Sequence, residues 1–396
     1  MKLLVIVSSL DLTQPFSATP AWWQLLKALY EVGVDVIAAP YQGPAIESPW
    51  WRAAPNPAKR EGDLFKLARD TLRRLTGDRQ TQVEGAQPQA ESLSDRLVRR
   101  VAQAVIAPRW RHHVDRILRQ QTDVDAVLMI TVPANHLNGV ARHITQKHNK
   151  PVLFYDGDVP ASLPTFMGFA TGFRIYQGAD LSEYTAFISN SEGGRQGLLD
   201  LGARAVHTLF YGADEDLFSP VGVPQDLDAF FYGHGREYRS EWIDAMVRAP
   251  SLALPDARFA VRGTRLGDLG RAQMLPYLSF SKLREYACRS KINLVITRKA
   301  HASVFASSSS RPFELASLGA CMVCNPYEGI ETWFEPEKEL IVVHSAEEAI
   351  ERYTWLLAHD DARRAMGQAA RERFLKEHTF RHRARQLVGI IQGYLS

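Results

Sequence analysis

Short apolar runs recur along this chain, and amphipathic segments separate most of them. Residues 3–7 (Leu-Leu-Val-Ile-Val) form the first run. Over residues 18–30 the apolar positions return at helical spacing, with Pro20 near the start. Gly33 stops that pattern and residues 34–38 make a second run, so the chain opens as a strand–helix–strand unit. Runs at residues 126–130, 152–155, 186–188 and 206–210 continue the rhythm. Strands alternating with helices predict a parallel sheet covered on both faces.

A second series follows, at residues 229–232, 258–261, 292–296, 321–324 and 340–343. Helical patterns lie between them at 240–248, 281–290, 311–318 and 346–357. The chain therefore reads as α/β, with two Rossmann-like, doubly wound domains. The join falls within residues 212–224, where Gly212, Pro220, Gly222 and Pro224 interrupt any periodicity. This gives an N-terminal domain over residues 1–215, a C-terminal domain over 216–378, and a last helix in 379–396 that crosses back to the first domain.

Residues 46–121 break the pattern and read as an insertion. Its centre, residues 76–94, has the polar, Gly/Gln/Glu-rich look of a disordered loop. The flanks look amphipathic, with Leu64, Leu67, Leu72 and Leu75 on one and Leu97, Val98, Val101 and Val105 on the other. Such helices either pack on the N-terminal domain or, through Arg99, Arg100, Arg109 and Arg111, face an acceptor or a membrane surface.

Composition adds bounds rather than identity. A chain of 396 residues with 45% apolar and 23% charged residues suits two globular domains. A net charge of +3 argues against a dedicated nucleic-acid binder. The three cysteines, Cys288, Cys321 and Cys324, suit a reducing compartment and hence the cytoplasm. Cys321 and Cys324 have zinc-ligand spacing but lie in an apolar run, which reads as buried strand cysteines. Residues 1–7 are too short for a signal-peptide core and read as a strand. No apolar stretch approaches the roughly 18 residues of a membrane span.

The candidate chemistry concentrates in the second domain. Ser307-Ser-Ser-Ser310-Arg311-Pro-Phe-Glu314 leads into a helix with Pro312 in its first turn, where a missing N–H costs nothing. Free N–H groups and the helix dipole make such a terminus an anion site, and Arg311 adds a formal charge. Glu314, taken as a first-turn residue, is placed to accept hydrogen bonds from two ribose hydroxyls. A capped helix with a dipole-complementing glutamate would read the same way. Gly233-His-Gly235-Arg236 and Arg239 follow the first strand of this domain, the pattern a backbone needs to approach a diphosphate. Arg262 and Thr264 end another strand, and Arg298 follows a third. Ligands of open α/β sheets lie at the carboxyl ends of strands, so these residues are expected to converge with the Arg311 loop. Neither a P-loop nor a complete dinucleotide fingerprint is present.

From Ala186 onward the chain resembles GT-B glycosyltransferases of the glycosyl transferases group 1 superfamily, especially their CgeB-like (spore-maturation) branch. The resemblance rests on Phe187-Ile-Ser-Asn-Ser191, Leu201-Gly-Ala203, Tyr211-Gly-Ala-Asp214, Gly233 with Arg239, Tyr286, Asn293 to Arg298 and Ser310-Arg311-Pro-Phe-Glu314 to Gly319. It continues through Trp333-Phe334, Glu339-Leu340, Ser345 with Glu347-Glu348, and His378-Thr-Phe380. In the first domain Tyr155-Asp156-Gly-Asp158-Val-Pro160 is similar to the family's strand-end Asp-x-Pro element. The resemblance implies a GT-B architecture with the two domains facing across a cleft. It also implies sugar transfer from a nucleotide-sugar to an acceptor hydroxyl, with Arg236, Arg239, Arg311 and Glu314 at the nucleotide. Many retaining relatives carry a second glutamate eight residues before the helix glutamate; here that residue is Ala306.

Asp156-Gly-Asp158 copies the D-x-D metal motif of the other glycosyltransferase fold, but it sits in the domain opposite the nucleotide. Arginines can take the place of Mg²⁺ at a leaving diphosphate. The expectation is no metal and no cofactor beyond the nucleotide-sugar co-substrate. Asp156, Asp158 and His136 are the candidates for a general base or an acceptor-orienting group, with Asp156 first because it directly follows its strand. A nucleotide-sugar epimerase or hydrolase of the same fold, and a non-catalytic two-domain binding protein, are the alternatives.

Overall fold

The computed structural model describes residues 1–11, 21–62, 93–166, 175–235 and 239–395. The centre of the insertion, its leucine-bearing first flank and Arg236 lie outside the described residues. Two parallel sheets organise the chain. The first joins β1 (Lys2–Ser9), β2 (Asp35–Gln42), β3 (Arg52–Ala53), β4 (Ala126–Ile130), β5 (Val152–Asp156), β6 (Ala186–Ser189) and β7 (Val206–Thr208), in the order β3-β2-β1-β4-β5-β6-β7. The second joins β8 (Leu227–His234), β9 (Phe259–Thr264), β10 (Gln273–Met274), β11 (Ser290–Val295), β12 (Met322–Cys324) and β13 (Ile341–Val342), in the order β10-β9-β8-β11-β12-β13.

Period-two side-chain alternation divides each sheet between two cores. Leu4 and Ile6 of β1 join the core under the Leu93–Gln120 and Val140–His148 helices, with Trp110, Val114 and Ile144. Leu3, Val5 and Val7 face the other core, shared with Leu25 and Leu29 of the Ala21–Glu31 helix. That second core also takes Phe380, Ala384, Leu387 and Ile391, so the final Phe380–Gln392 helix packs on the first sheet although it follows the second. In the second sheet, Phe313, Phe374 and Trp333 cover one face and Met246, Tyr353 and Leu356 the other.

In each sheet the winding reverses beside the first strand, between β1 and β4 and between β8 and β11. The crevice outside the carboxyl ends at such a point is the ordinary ligand position of this architecture. The free thiols Cys321 and Cys324 are buried, at and in β12. Among the described residues, no helix is long and apolar enough to cross a membrane.

Candidate active site

The carboxyl ends of the two sheets are stitched together. Ser191, just past β6, forms an antiparallel bridge with Ser307, and their hydroxyls lie 2.6 Å apart. Asn190 donates from Nδ2 to the Ser308 carbonyl at 2.8 Å, while the Ser308 hydroxyl donates to the Asn190 carbonyl at 2.8 Å. The backbone N–H of Gly193 donates to the Phe305 carbonyl at 2.9 Å, an approach that a side chain at 193 would obstruct. The serine-rich run thus does two jobs. Ser307 and Ser308 are buried in the domain junction, and only Ser309 and Ser310 lead into the helix. The sequence reading missed this clasp because nothing local distinguishes a docking serine from a capping one.

The helix spans Ser310–Ser317, and its N-cap Ser309 makes no side-chain capping bond. Because it starts at Ser310, Glu314 is its fifth residue and belongs to the second turn, contrary to the first-turn expectation. Its side chain points sideways at β8, where Tyr232 Oη donates to Oε2 at 2.7 Å. Glu314 is 1% exposed, and its Oε1 is buried with no hydrogen-bond partner. Burial pushes its carboxyl pKa up, against the pull of Tyr232 and Arg311.

Arg311 also departs from expectation. It is 8% exposed, donates from Nη1 to the Ile296 carbonyl at 2.9 Å, and lies over the Phe231 and Tyr232 rings at 5.1 and 4.9 Å. Its charge sits under the cleft floor and braces the helix against β8. The glycines have a matching role. A Cβ on Gly233 would meet Arg311 Nη2 at 2.8 Å, and one on Gly235 would fall 1.8 Å from the Arg265 carbonyl oxygen. They permit close packing of protein on protein, whereas the sequence suggested approach to a diphosphate.

A guanidinium that does reach the junction is that of Arg298, three residues past β11. Its Nη2 pairs with Oδ1 of Asp158 from the opposite domain and lies 3.1 Å from His301 Nε2. His301 is buried, and its Nδ1 has no partner. Burial, then Arg298 and Arg239, hold this imidazole well below its ordinary pKa, so it is neutral. Arg239 is half-buried and donates to the His234 carbonyl at 2.9 Å. Arg298, Arg239 and Asp158 are therefore brought to one region. His301 was not anticipated, although its spacing of three from Arg298 was a readable signal.

Other anticipated residues sit further along the sheet edge. Arg262 is buried with its guanidinium 4.7 Å from the Tyr277 ring, and Thr264 Oγ1 lies 2.6 Å from His234 Nδ1. In the first domain His136 follows β4 on a short 3₁₀ turn, with Nδ1 2.7 Å from Tyr41 Oη.

Asp156, the first choice as base, is 0% exposed. Its Oδ2 accepts from the Ser162 and Tyr176 hydroxyls and its Oδ1 from the Asp158 N–H at 2.9 Å. It anchors the loop beneath the cleft wall. The reason is local: Gly157 turns the chain so that Asp158, at 21% side-chain exposure, is the carboxylate presented outward. The two aspartates of Asp156-Gly-Asp158 consequently point to different places. Among the described residues, no three His, Cys, Asp or Glu side chains gather in a metal-sized cluster.

Comparison with known proteins identifies the fold. Residues 236–389 match a family model described as glycosyl transferase-like. No curated protein sequence matches the chain. Among solved structures, sucrose-phosphate synthase from Thermosynechococcus elongatus aligns over 99% of each chain at a TM-score of 0.65 and 14% identity. A trehalose-6-phosphate protein from E. coli bound with UDP-2-fluoro glucose aligns over 98% of each at 0.65 and 13%. Anabaena HepE in complex with UDP aligns over 99% of this chain and 100% of its own at 0.60 and 12%. The fold is that of the GT-B glycosyltransferases, two parallel-sheet α/β domains meeting at the carboxyl ends of their strands.

Proposed function

We propose that this protein is a glycosyltransferase that moves a sugar from a nucleoside-diphosphate sugar to an acceptor hydroxyl without a metal ion. The observation that carries the reading is the pairing of Arg298 with Asp158 across the carboxyl edges of two GT-B sheets. The family match over 236–389 supports it, as do structural neighbours that hold UDP or a UDP-sugar analogue.

In this reading Arg298 and Arg239 balance the charge of the departing diphosphate, and the helix start at Ser310 adds backbone N–H groups. The unpaired Oε1 of Glu314 takes a hydroxyl of the nucleotide's ribose. Gly233, Gly235, Arg262 and Thr264 border the nucleotide's other end. Arg236 belongs to the same loop and lies outside the described residues. Arg311 supports this floor from below. Across the cleft, Asp158 and His136 orient the acceptor, and Asp158 takes over from Asp156 as first choice for general base because it is the exposed carboxylate. The resemblance to the CgeB-like branch supports assignment within the superfamily, and three free cysteines support a cytoplasmic location. The Leu93–Gln120 helix exposes Leu97, Val101 and Val105 beside Arg100, which supports contact of this face with an acceptor or a membrane.

The deciding experiment is a thermal-shift screen with UDP, GDP, dTDP and their sugars, followed by turnover assays in excess chelator. A nucleotide at a hundred times its dissociation constant adds about 2.7 kcal/mol to stability. Turnover that needs an acceptor separates transfer from hydrolysis or epimerisation. Complete loss of turnover with chelator, restored by Mg²⁺, would refute metal independence. No stabilisation by any nucleotide or nucleotide-sugar would refute the reading as a whole.

A further inference from the structure

We propose that Asp158 is a built-in competitor for the donor. It occupies Arg298 until the donor's diphosphate takes its place, and that displacement releases the carboxylate to face the acceptor. The inference rests on the nucleotide-sugar reading above and adds to it an exchange within the site.

Three observations lead to it. First, the pair joins the two domains at the cleft and is only partly open to solvent, with side-chain exposures of 21% for Asp158 and 18% for Arg298. An incoming anion can therefore reach it. Second, the Asp158 backbone is fixed. Its N–H donates to Asp156 at 2.9 Å, its carbonyl accepts from the Ser162 N–H at 3.0 Å, and the next residue's N–H donates to Asn190 Oδ1 at 2.9 Å. The preceding Gly157 carbonyl accepts from Tyr211 Oη at 2.6 Å. Only the carboxylate arm can swing, so displacement is a side-chain event that leaves the loop in place. Third, the contact that the donor would have to replace is one carboxylate on one guanidinium. Arg298 contacts Asp158 directly, and the neutral imidazole of His301, 3.9 Å from Asp158 Oδ1, adds no charge of its own to the pair. A diphosphate offers more charge and more acceptor oxygens than one carboxylate, and guanidinium binds phosphate in the same forked geometry.

A purely structural salt bridge makes a different forecast. If Asp158 only held the domains together, removing its charge would leave nucleotide affinity unchanged or weaken it. If it competes with the donor, removing its charge must tighten nucleotide binding, and only while Arg298 is present.

The test is titration calorimetry with UDP, with GDP and dTDP run alongside, on wild type, Asp158→Asn, Arg298→Ala and the double variant. Thermal melts check that each is folded. Asp158→Asn is expected to tighten binding by roughly five- to fiftyfold, the worth of one charge-assisted hydrogen bond. Arg298→Ala is expected to weaken it by about tenfold or more, and the double variant to bind no better than Arg298→Ala alone. An Asp158→Asn affinity equal to or below wild type overturns the exchange while leaving the nucleotide site standing. So does a gain that persists without Arg298. Wild type that binds none of the three nucleotides overturns the underlying reading instead, and the exchange with it.

Discussion

Tyr232 and Glu314 share a 2.7 Å hydrogen bond in the floor of the C-terminal domain, phenol to carboxylate, from β8 to the second turn of the Ser310–Ser317 helix. Both are buried, and the bond uses one carboxylate oxygen while leaving Oε1 unpaired. A buried acceptor without a donor is costly, which is why such atoms are usually satisfied by a partner, a water or a ligand. The two halves of this carboxylate can be separated by mutation. Glu314→Gln keeps an acceptor for Tyr232 and turns the other position into a donor. It is expected to leave the melting temperature within a few degrees and to weaken nucleotide binding by roughly tenfold. Glu314→Ala also orphans the Tyr232 hydroxyl and is expected to cost about 1–3 kcal/mol of stability in addition. Calorimetry for affinity and thermal melts for stability would show whether the two effects divide this way.

Arg311 invites the opposite expectation. Its guanidinium is held by the Ile296 carbonyl and by the Phe231 and Tyr232 faces, in space that Gly233 leaves open. Removing it empties a buried slot and leaves Glu314 without its nearest positive charge. Arg311→Ala is therefore expected to lose about 2–4 kcal/mol in denaturant unfolding, with nucleotide affinity falling only as the folded fraction falls. A fully stable Arg311→Ala protein with weakened nucleotide binding would return Arg311 to the phosphate-binding role its sequence position suggests.

These two residues show what the sequence could and could not convey. The alternation of apolar runs and amphipathic segments conveyed both sheets, because burial on two faces leaves a strong compositional trace. It missed β3 and β10, which are two residues each and pair only at a sheet edge. Arg298, Arg239 and Asp158 were legible as strand-end residues, and the fold brings them together. The orientation of side chains was not legible. Starting the helix at Ser310 moves Glu314 out of the first turn and turns it toward Tyr232. The turn at Gly157 exchanges the fates of Asp156 and Asp158, one anchored and one presented. Ser307, Ser308, Asn190 and Ser191 meet across more than a hundred residues of chain, and no local pattern encodes that.

The return of the last helix to the first domain depends on a charge cluster as well as on apolar contact. Lys27 Nζ lies 2.6 Å from Asp214, 2.7 Å from Glu31 and 3.2 Å from Asp216, while Arg381 reaches Glu31, Glu215 and Asp216 at 2.9, 2.5 and 2.7 Å. Asp214 is the buried member, helped by the backbone N–H groups of Asp216 and Leu217. Lys27→Met would leave its charge inside with those two dipoles alone. Breaking one side of such a pair costs about 3–5 kcal/mol, and the exposed rim of this cluster places the expected loss near the lower figure. Arg381→Met, at the rim, is expected to cost about 1 kcal/mol. Urea unfolding of both variants would check the ranking, and equal losses would refute it.

Asp156 supplies a pH signature that separates an anchor from a base. Burial is the largest influence on its carboxyl and raises its pKa to about 6, against the pull of the Ser162 and Tyr176 hydroxyls. The ordinary aspartate value is near 3.9, and that is the value expected in the unfolded chain. A raised folded pKa means the native state holds the proton more tightly than the unfolded state. Its contribution to stability is thus full below about pH 4 and is lost as pH rises through about 6. A shift of roughly two units corresponds to about 3 kcal/mol, all of it spent between those limits. Asp156→Asn cannot titrate, and the Ser162 and Tyr176 hydroxyls can turn to accept from its amide. Wild type is therefore expected to lose stability relative to Asp156→Asn between about pH 4 and 6.5, with the difference constant above that range. Paired thermal melts from pH 3.5 to 8 would measure it. Turnover supplies the second half of the test. A variant that keeps its fold should keep most of its kcat if Asp156 only anchors the loop, whereas loss of a general base lowers kcat by roughly 10²–10⁴-fold. A flat stability difference together with a collapsed kcat would restore Asp156 as the proton acceptor and remove Asp158 from that role.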